Sequence, residues 1–138
     1  MTQLKGSRTE KNLRAALARE AQDSRRFEYF ARAAAVEGKV AAARALRQIA
    51  EGETAHAFGH LEFLEAIDDP LVAGEADDVR RHLRAAIAAE EEHGERYEAR
   101  AAVAREERML DAAAWFALVA HAKRVHAATL RRTVEAAG

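Results

Sequence analysis

Apolar positions along this chain recur with the period of an α-helix, and nowhere over a useful length with the period of a strand. From "SRTE" onward, Leu13, Leu17, Phe27, Phe30 and Ala34 carry one apolar face down to about Glu37. Ser7 followed three residues later by Glu10 is a capping box, and Gly38 is a natural C-terminal stop. A second helix is predicted from about Val40 to Ile67, with Leu46, Ile49, Phe63 and Leu64 marking its stripe. Gly52 and Gly59 lie inside it, each costing ~1 kcal/mol of helix propensity relative to alanine. Packing or a neighbouring site is therefore expected to want a small residue at both. "DDPLVAGEADD" (68–78) breaks the pattern with Pro70 and Gly74, and its length suits a crossover between helical pairs. Asp77 or Asp78 is expected to cap a third helix, which continues through "AAIAAEEEHGERYEARAAVA". A fourth is expected from Leu110 or Asp111, past Trp115 and Phe116, to about Ala136. The turn before it, near "EERML", has no glycine, so the pattern does not mark its boundary.

The two halves repeat. A shift of 70 residues lays "LRAALARE" (13–20) over "LRAAIAAE" (83–90), and pairs Phe27 with Tyr97, Glu28 with Glu98, Ala43 with Ala113, Leu46 with Phe116 and His56 with His126. Such agreement at one offset describes two copies of a helical hairpin. The expected fold is all-α: a four-helix bundle in which the two hairpins, joined by the crossover, close their apolar faces on each other.

Composition narrows the function without naming it. A length of 138 residues is enough for one domain, 1–138, with a real core. Alanine supplies much of the 49% hydrophobic content, which favours helices that approach closely. With a net charge of −1 and basic residues interspersed among acidic ones, no nucleic-acid partner is expected. The absence of cysteine excludes disulfides, iron–sulfur clusters and Cys₄ iron sites. "MTQLKGSRTEKN" lacks the apolar core of a secretory signal and no apolar run could span a bilayer, so a cytoplasmic protein without a membrane partner is expected.

The repeat also orders the ionisable residues. Glu20 falls among the core-facing residues of the first helix, and Glu53 and His56 form a Glu-x-x-His on one face of the second. The shift carries Glu20 onto Glu90 and His56 onto His126. One Glu from each of two helices and a Glu-x-x-His from each of the others is the donor set of bundle-core dinuclear carboxylate sites. Two hard cations want several anionic oxygens, and imidazoles add a neutral donor to each.

On "TEKNLRAALAREAQDSRRFEYFARAA", "AEGETAHAFGHLEFLEAI", "AIAAEEEHGERYEA" and "AAWFALVAHAKRVHA", the chain resembles the ferritin-like domain of the rubrerythrins over nearly its whole length. The resemblance implies a ferritin-like bundle, a non-haem di-iron site, and reduction of peroxide or dioxygen with an external electron donor. It also implies homodimers, in some members with exchanged helices. The family's rubredoxin module is not expected within a chain that lacks cysteine. The family's metal ligands carry over to Glu20, Glu53, His56, Glu90 and His126.

Two positions depart from that pattern. The helix-three Glu-x-x-Glu becomes Glu90-Glu91-Glu92-His93, so that an imidazole replaces a carboxylate. The helix-four Glu-x-x-His becomes Lys123-Arg124-Val125-His126, and the residue lost there is, by the family pattern, a carboxylate bridging both metals. A tyrosine that supports the site in relatives is Phe27 here. Three carboxylates and one protonated lysine leave a net charge that one divalent ion neutralises, and a second would be surplus in a poorly solvated core. The expectation is one iron or other divalent ion at Glu20, Glu53, His56 and His93. Glu90 and His126 are then reserve ligands or partners of Lys123.

Lys123, if neutral, and Tyr97 are the catalytic candidates, although Tyr97 also reads as a core tyrosine. His60, one turn after His56, reads equally as support for the site or as a packed helix residue. His82 and His121 read as incidental, with His82 exposed. Three classes of function follow: a peroxide- or dioxygen-reducing oxidoreductase, a metal-binding protein with an altered site, and a metal-free structural or partner-binding bundle.

Overall fold

The structure, a computed structural model, describes residues 3–67 and 79–137. Among them lie four helices and the turns beside them: α1 (Arg8–Val36), α2 (Val40–Glu65), α3 (Val79–Glu106) and α4 (Leu110–Ala137). Backbone contacts gather the chain into two compact units, Met1–Val72 and Ala73–Gly138. Each is a hairpin, α1 against α2 in the first and α3 against α4 in the second. The predicted crossover and the Asp77 or Asp78 cap lie outside the described residues. No helix among the described residues is long and apolar enough to cross a membrane.

The start of α1 is capped as its sequence predicts, with one difference. The Glu10 N–H donates to Ser7 Oγ at 3.0 Å. The Glu10 carboxylate, however, accepts from the N–H of Gly6 at 2.7 Å, because the N–H of Ser7 is already bonded to the Leu4 carbonyl at 3.0 Å. At the other end α1 closes in a Schellman turn. Gly38 N–H donates to Ala35 O at 3.0 Å and Lys39 N–H to Ala34 O at 2.8 Å, with Gly38 left-handed at φ 76°. The boundary that carried no glycine is the same turn 70 residues on. Arg108 N–H reaches Arg105 O at 3.0 Å and Met109 N–H reaches Ala104 O at 2.8 Å. Arg108 sits there at φ 62°, a conformation that costs a residue with a Cβ ~1 kcal/mol.

Small residues, with Leu64 as the one large side chain among them, are buried between the helices of each hairpin. In the first, the buried seam is Ser24 and Ala31 on α1 against Ala43, Ala50, Ala57 and Leu64 on α2. In the second it is Gly94, Ala101 and Ala104 on α3 with Ala113, Ala120 and Ala127 on α4. Ser24 and Gly94, Ala31 and Ala101, Ala43 and Ala113, Ala50 and Ala120, Ala57 and Ala127 are all related by the 70-residue shift. Seven-residue spacing keeps one row of side chains facing the partner helix, and alanine there lets the two backbones close in.

Leu64 lies in the seam as its place in the stripe predicts, but the other large apolar residues of the stripes flank the seam. Leu13, Leu17, Phe27 and Leu46 are half-buried, whereas Phe30, Ile49, Phe63 and Trp115 are exposed. Gly52 and Gly59 also depart from expectation, since a Cβ built on either meets nothing within 4 Å. Packing does not explain them.

Candidate metal centre

The seam fixes the register of each hairpin and so decides which polar residues meet beside it. In the first hairpin, α1 brings Glu20 opposite the Glu53-x-x-His56 face of α2. One ligand atom from each of the three lies within 4.8 Å of the others. His56 Nδ1 stands 3.4 Å from Glu20 Oε2 and 3.7 Å from Glu53 Oε2. The two carboxyls face each other. That contact with Glu53 holds the pKa of Glu20 below the ordinary carboxylate value, against the opposing effect of burial and with help from His56. The same contact with Glu20, reinforced by burial, pushes Glu53 up. Glu20 Oε2 is shielded from solvent and, among the described residues, has no well-formed hydrogen bond, His56 Nδ1 standing 3.4 Å away. A cation between two carboxylates and an imidazole would satisfy that oxygen. The first hairpin fits a divalent ion.

The second hairpin uses the same three positions to a different end. Lys123 Nζ donates to Glu90 Oε1 at 3.1 Å, and His126 Nδ1 meets Glu90 Oε2 at 2.9 Å. Both oxygens of Glu90 are therefore engaged. Burial works to raise its pKa, but the hydrogen bonds with His126 and Lys123 and the lysine charge outweigh it and hold Glu90 low. Gly94 lies beside this group, and a Cβ built there would make an ordinary contact with Lys123 Cβ at 3.5 Å. One ammonium and one carboxylate neutralise each other here. This trio does not fit a cation of its own.

Of the residues expected at the site, Glu20, Glu53 and His56 meet in one hairpin, and Glu90, Lys123 and His126 meet in the other. Of the two roles open to Glu90, the structure shows that of partner to Lys123. His93 is exposed on α3 and enters neither trio. Tyr97 packs its ring 6.0 Å from that of Phe116, with the Arg100 guanidinium 4.9 Å over its face, the setting of a packed tyrosine. His121 is exposed as expected, but His82 is half-buried rather than exposed. His60 carries more than its sequence reading assigned, because its Nε2 is also shielded from solvent and without a hydrogen-bond partner. The sequence signal for it was its place four residues after His56. Cross-helix pairs of Arg124 with Glu98 and Arg131 with Glu91 bind α4 to α3 outside the trio.

The family model described as Rubrerythrin matches residues 11–82. The chain is 38% identical over 131 residues to the rubrerythrin of Nitratidesulfovibrio vulgaris, covering 91% of this chain and 69% of the relative. It is 38% identical over 128 residues to the rubrerythrin of Porphyromonas gingivalis, covering 89% and 64%. With Rubrerythrin-1 of Clostridium acetobutylicum the identity is 33% over 135 residues, covering 91% and 69%. The chain thus spans about two thirds of the length of these relatives. A match over half the chain, relatives at this identity and the helical hairpins agree: the chain belongs to the rubrerythrin family, all-α and ferritin-like, a family of non-haem di-iron proteins.

Proposed function

We propose that this chain is a rubrerythrin-type metal-binding protein that holds one divalent ion, iron by family likeness, at Glu20, Glu53 and His56. Lys123 takes the place of a second ion beside Glu90 and His126. The observation that carries this reading is the contrast between two equivalent carboxylates. Glu20 keeps a shielded oxygen without a well-formed hydrogen bond, while both oxygens of Glu90 are already bonded.

Bound iron would supply electron transfer to peroxide or dioxygen, the activity that the family suggests, with electrons from an external donor. For that work the chain's residues are unequally prepared. Glu53 holds a proton more tightly than an ordinary glutamate and must release it as metal enters. Glu20 remains ionised beside it, and His56 offers a neutral nitrogen to the same point. Lys123 fixes a positive charge at Glu90 that no change of redox state can remove. A reaction that needs two metals and a bridging carboxylate therefore has weak support here, and metal binding has the stronger.

The proposed assembly is a homodimer. Native mass spectrometry of the purified protein reads both claims together, with two chains carrying two metal ions expected. About two tightly held ions per chain would overturn the one-metal reading, and none after iron or zinc loading would favour a metal-free bundle. Lys123→Glu should raise the number of ions per chain towards two. An unchanged number would show that the lysine does not set the stoichiometry.

A further inference from the structure

We propose that His60 is a fourth ligand of the first-hairpin centre. The α1–α2 hairpin would then hold its ion alone, through two carboxylates and two imidazoles. This rests on the reading of Glu20, Glu53 and His56 as a metal centre and adds to it a residue that the family's ligand pattern does not include.

Three observations converge on His60. The first is spacing. Glu53, His56 and His60 lie three and then four residues apart on α2, so all three project from one face. Two histidines four residues apart on a helix form a metal-chelating pair, because successive turns bring both rings to one point. The second is the state of the ring. His60 Nε2 is closed off from solvent and has no hydrogen-bond partner among the described residues. With the proton on Nδ1, Nε2 presents a bare lone pair, the form in which imidazole binds metal. Glu20 Oε2, in the same hairpin, is the matching case of a shielded oxygen without a well-formed hydrogen bond. A shielded ring nitrogen in a merely packed role would normally find a donor or acceptor.

The third observation is what the second hairpin withholds. Glu90 has committed both oxygens to Lys123 and His126, and Lys123 stands where the family places a bridging carboxylate. Three ligands from the first hairpin leave a divalent ion short of the four that a closed tetrahedral site uses. His60 is half-buried, four residues or about 6 Å along α2 from His56. It stands outside the group whose ligand atoms lie within 4.8 Å of one another, so ligation asks its ring to change rotamer. Two carboxylates and two imidazoles suit zinc, cobalt(II) or iron(II) better than magnesium or calcium.

The test is titration of the full-length apoprotein with cobalt(II), read by visible absorption, and with zinc(II), read by competition against a chromophoric chelator. The wild-type protein should bind about one cobalt per chain. His60→Ala should weaken zinc and cobalt affinity about tenfold or more and alter the cobalt spectrum, a loss at least as large as that from disturbing a ligand's support. His60→Leu guards against a variant that simply folds poorly. It should raise the melting temperature of the apoprotein, by removing a buried nitrogen without a partner, and still lose most of the melting shift that metal produces. His121→Ala, on an exposed part of α4, should change neither quantity. Wild-type affinity and spectrum in both His60 variants would overturn the inference and leave the centre itself standing. A wild-type protein that binds neither ion, or that binds them unchanged after Glu53→Ala, would overturn the underlying centre as well.

Discussion

At residue scale the decisive comparison is between Glu53 and Lys123, which occupy the same place in two hairpins. Each faces a glutamate from the neighbouring helix, Glu20 or Glu90, and each has a histidine three residues on. In the first hairpin two carboxyls share a charge that they hold with difficulty. In the second, lysine turns the same contact into a hydrogen-bonded ion pair. Both members of that pair are mostly shielded, so removing one leaves the other poorly compensated. Lys123→Met should cost about 1–2 kcal/mol of stability in the metal-free protein, read as a lower urea midpoint. The pH dependence of this trio has a definite sign. The Glu90 pKa is lowered on folding, so its contribution to stability is complete above the unfolded carboxylate pKa. It is lost as pH falls through the lower folded value. Acid titration of the melting temperature should show that loss in the wild type and a smaller one in Lys123→Met. Equal slopes would remove the lysine from the account. The donors were legible in the sequence because the repeat and the Glu-x-x-His spacing mark them. The engagement of both Glu90 oxygens was not, since it depends on where a long side chain comes to rest.

At the scale of the element, the helices and their ends were largely legible, and the packing between them was not. Capping residues and periodicity place both ends of α1 and the start of α2 within a residue or so. Periodicity alone, however, assigns the core to the largest apolar side chains. In each hairpin the close approach is made instead by alanine, serine and glycine, and Phe63 and Trp115 stand exposed. Composition predicts that alanine lets helices approach closely, but burying it gains little apolar area, so periodicity does not single out which alanines do so. Their part is to set the distance between helices, and a sequence pattern does not display distance. The α3–α4 turn offers a direct check. Arg108 holds the left-handed position that Gly38 holds in the equivalent turn. Arg108→Gly should stabilise the second hairpin by up to about 1 kcal/mol, seen as a higher melting temperature with metal content unchanged. A lower melting temperature would mean that the arginine side chain earns its place through contacts that outweigh its backbone conformation.

At the scale of the whole molecule, the repeat that was visible in the sequence is also the plan of the structure. Each hairpin carries its own seam, its own closing turn and its own trio of ionisable residues, all related by one offset. Metal stabilises a protein by binding the folded form, so its effect should be tied to the hairpin that holds it. Chelation of the loaded protein is expected to lower hydrogen-exchange protection along α1 and α2 more than along α3 and α4. Equal losses in both hairpins would argue for a centre supported equally by the two. The overall class, helical with a carboxylate–histidine centre, followed from sequence pattern and family likeness together. The division of labour between the halves needed the coordinates, because equivalent letters in a repeat do not reveal which copy is already neutral.

The 70-residue offset has one more consequence. A protein built from two copies of a unit contains a comparison that would otherwise require mutagenesis, since one backbone setting appears in it with glutamate and again with lysine. Side by side, the two copies show what that exchange does: a glutamate there leaves two carboxyls facing each other, and a lysine there closes an ion pair.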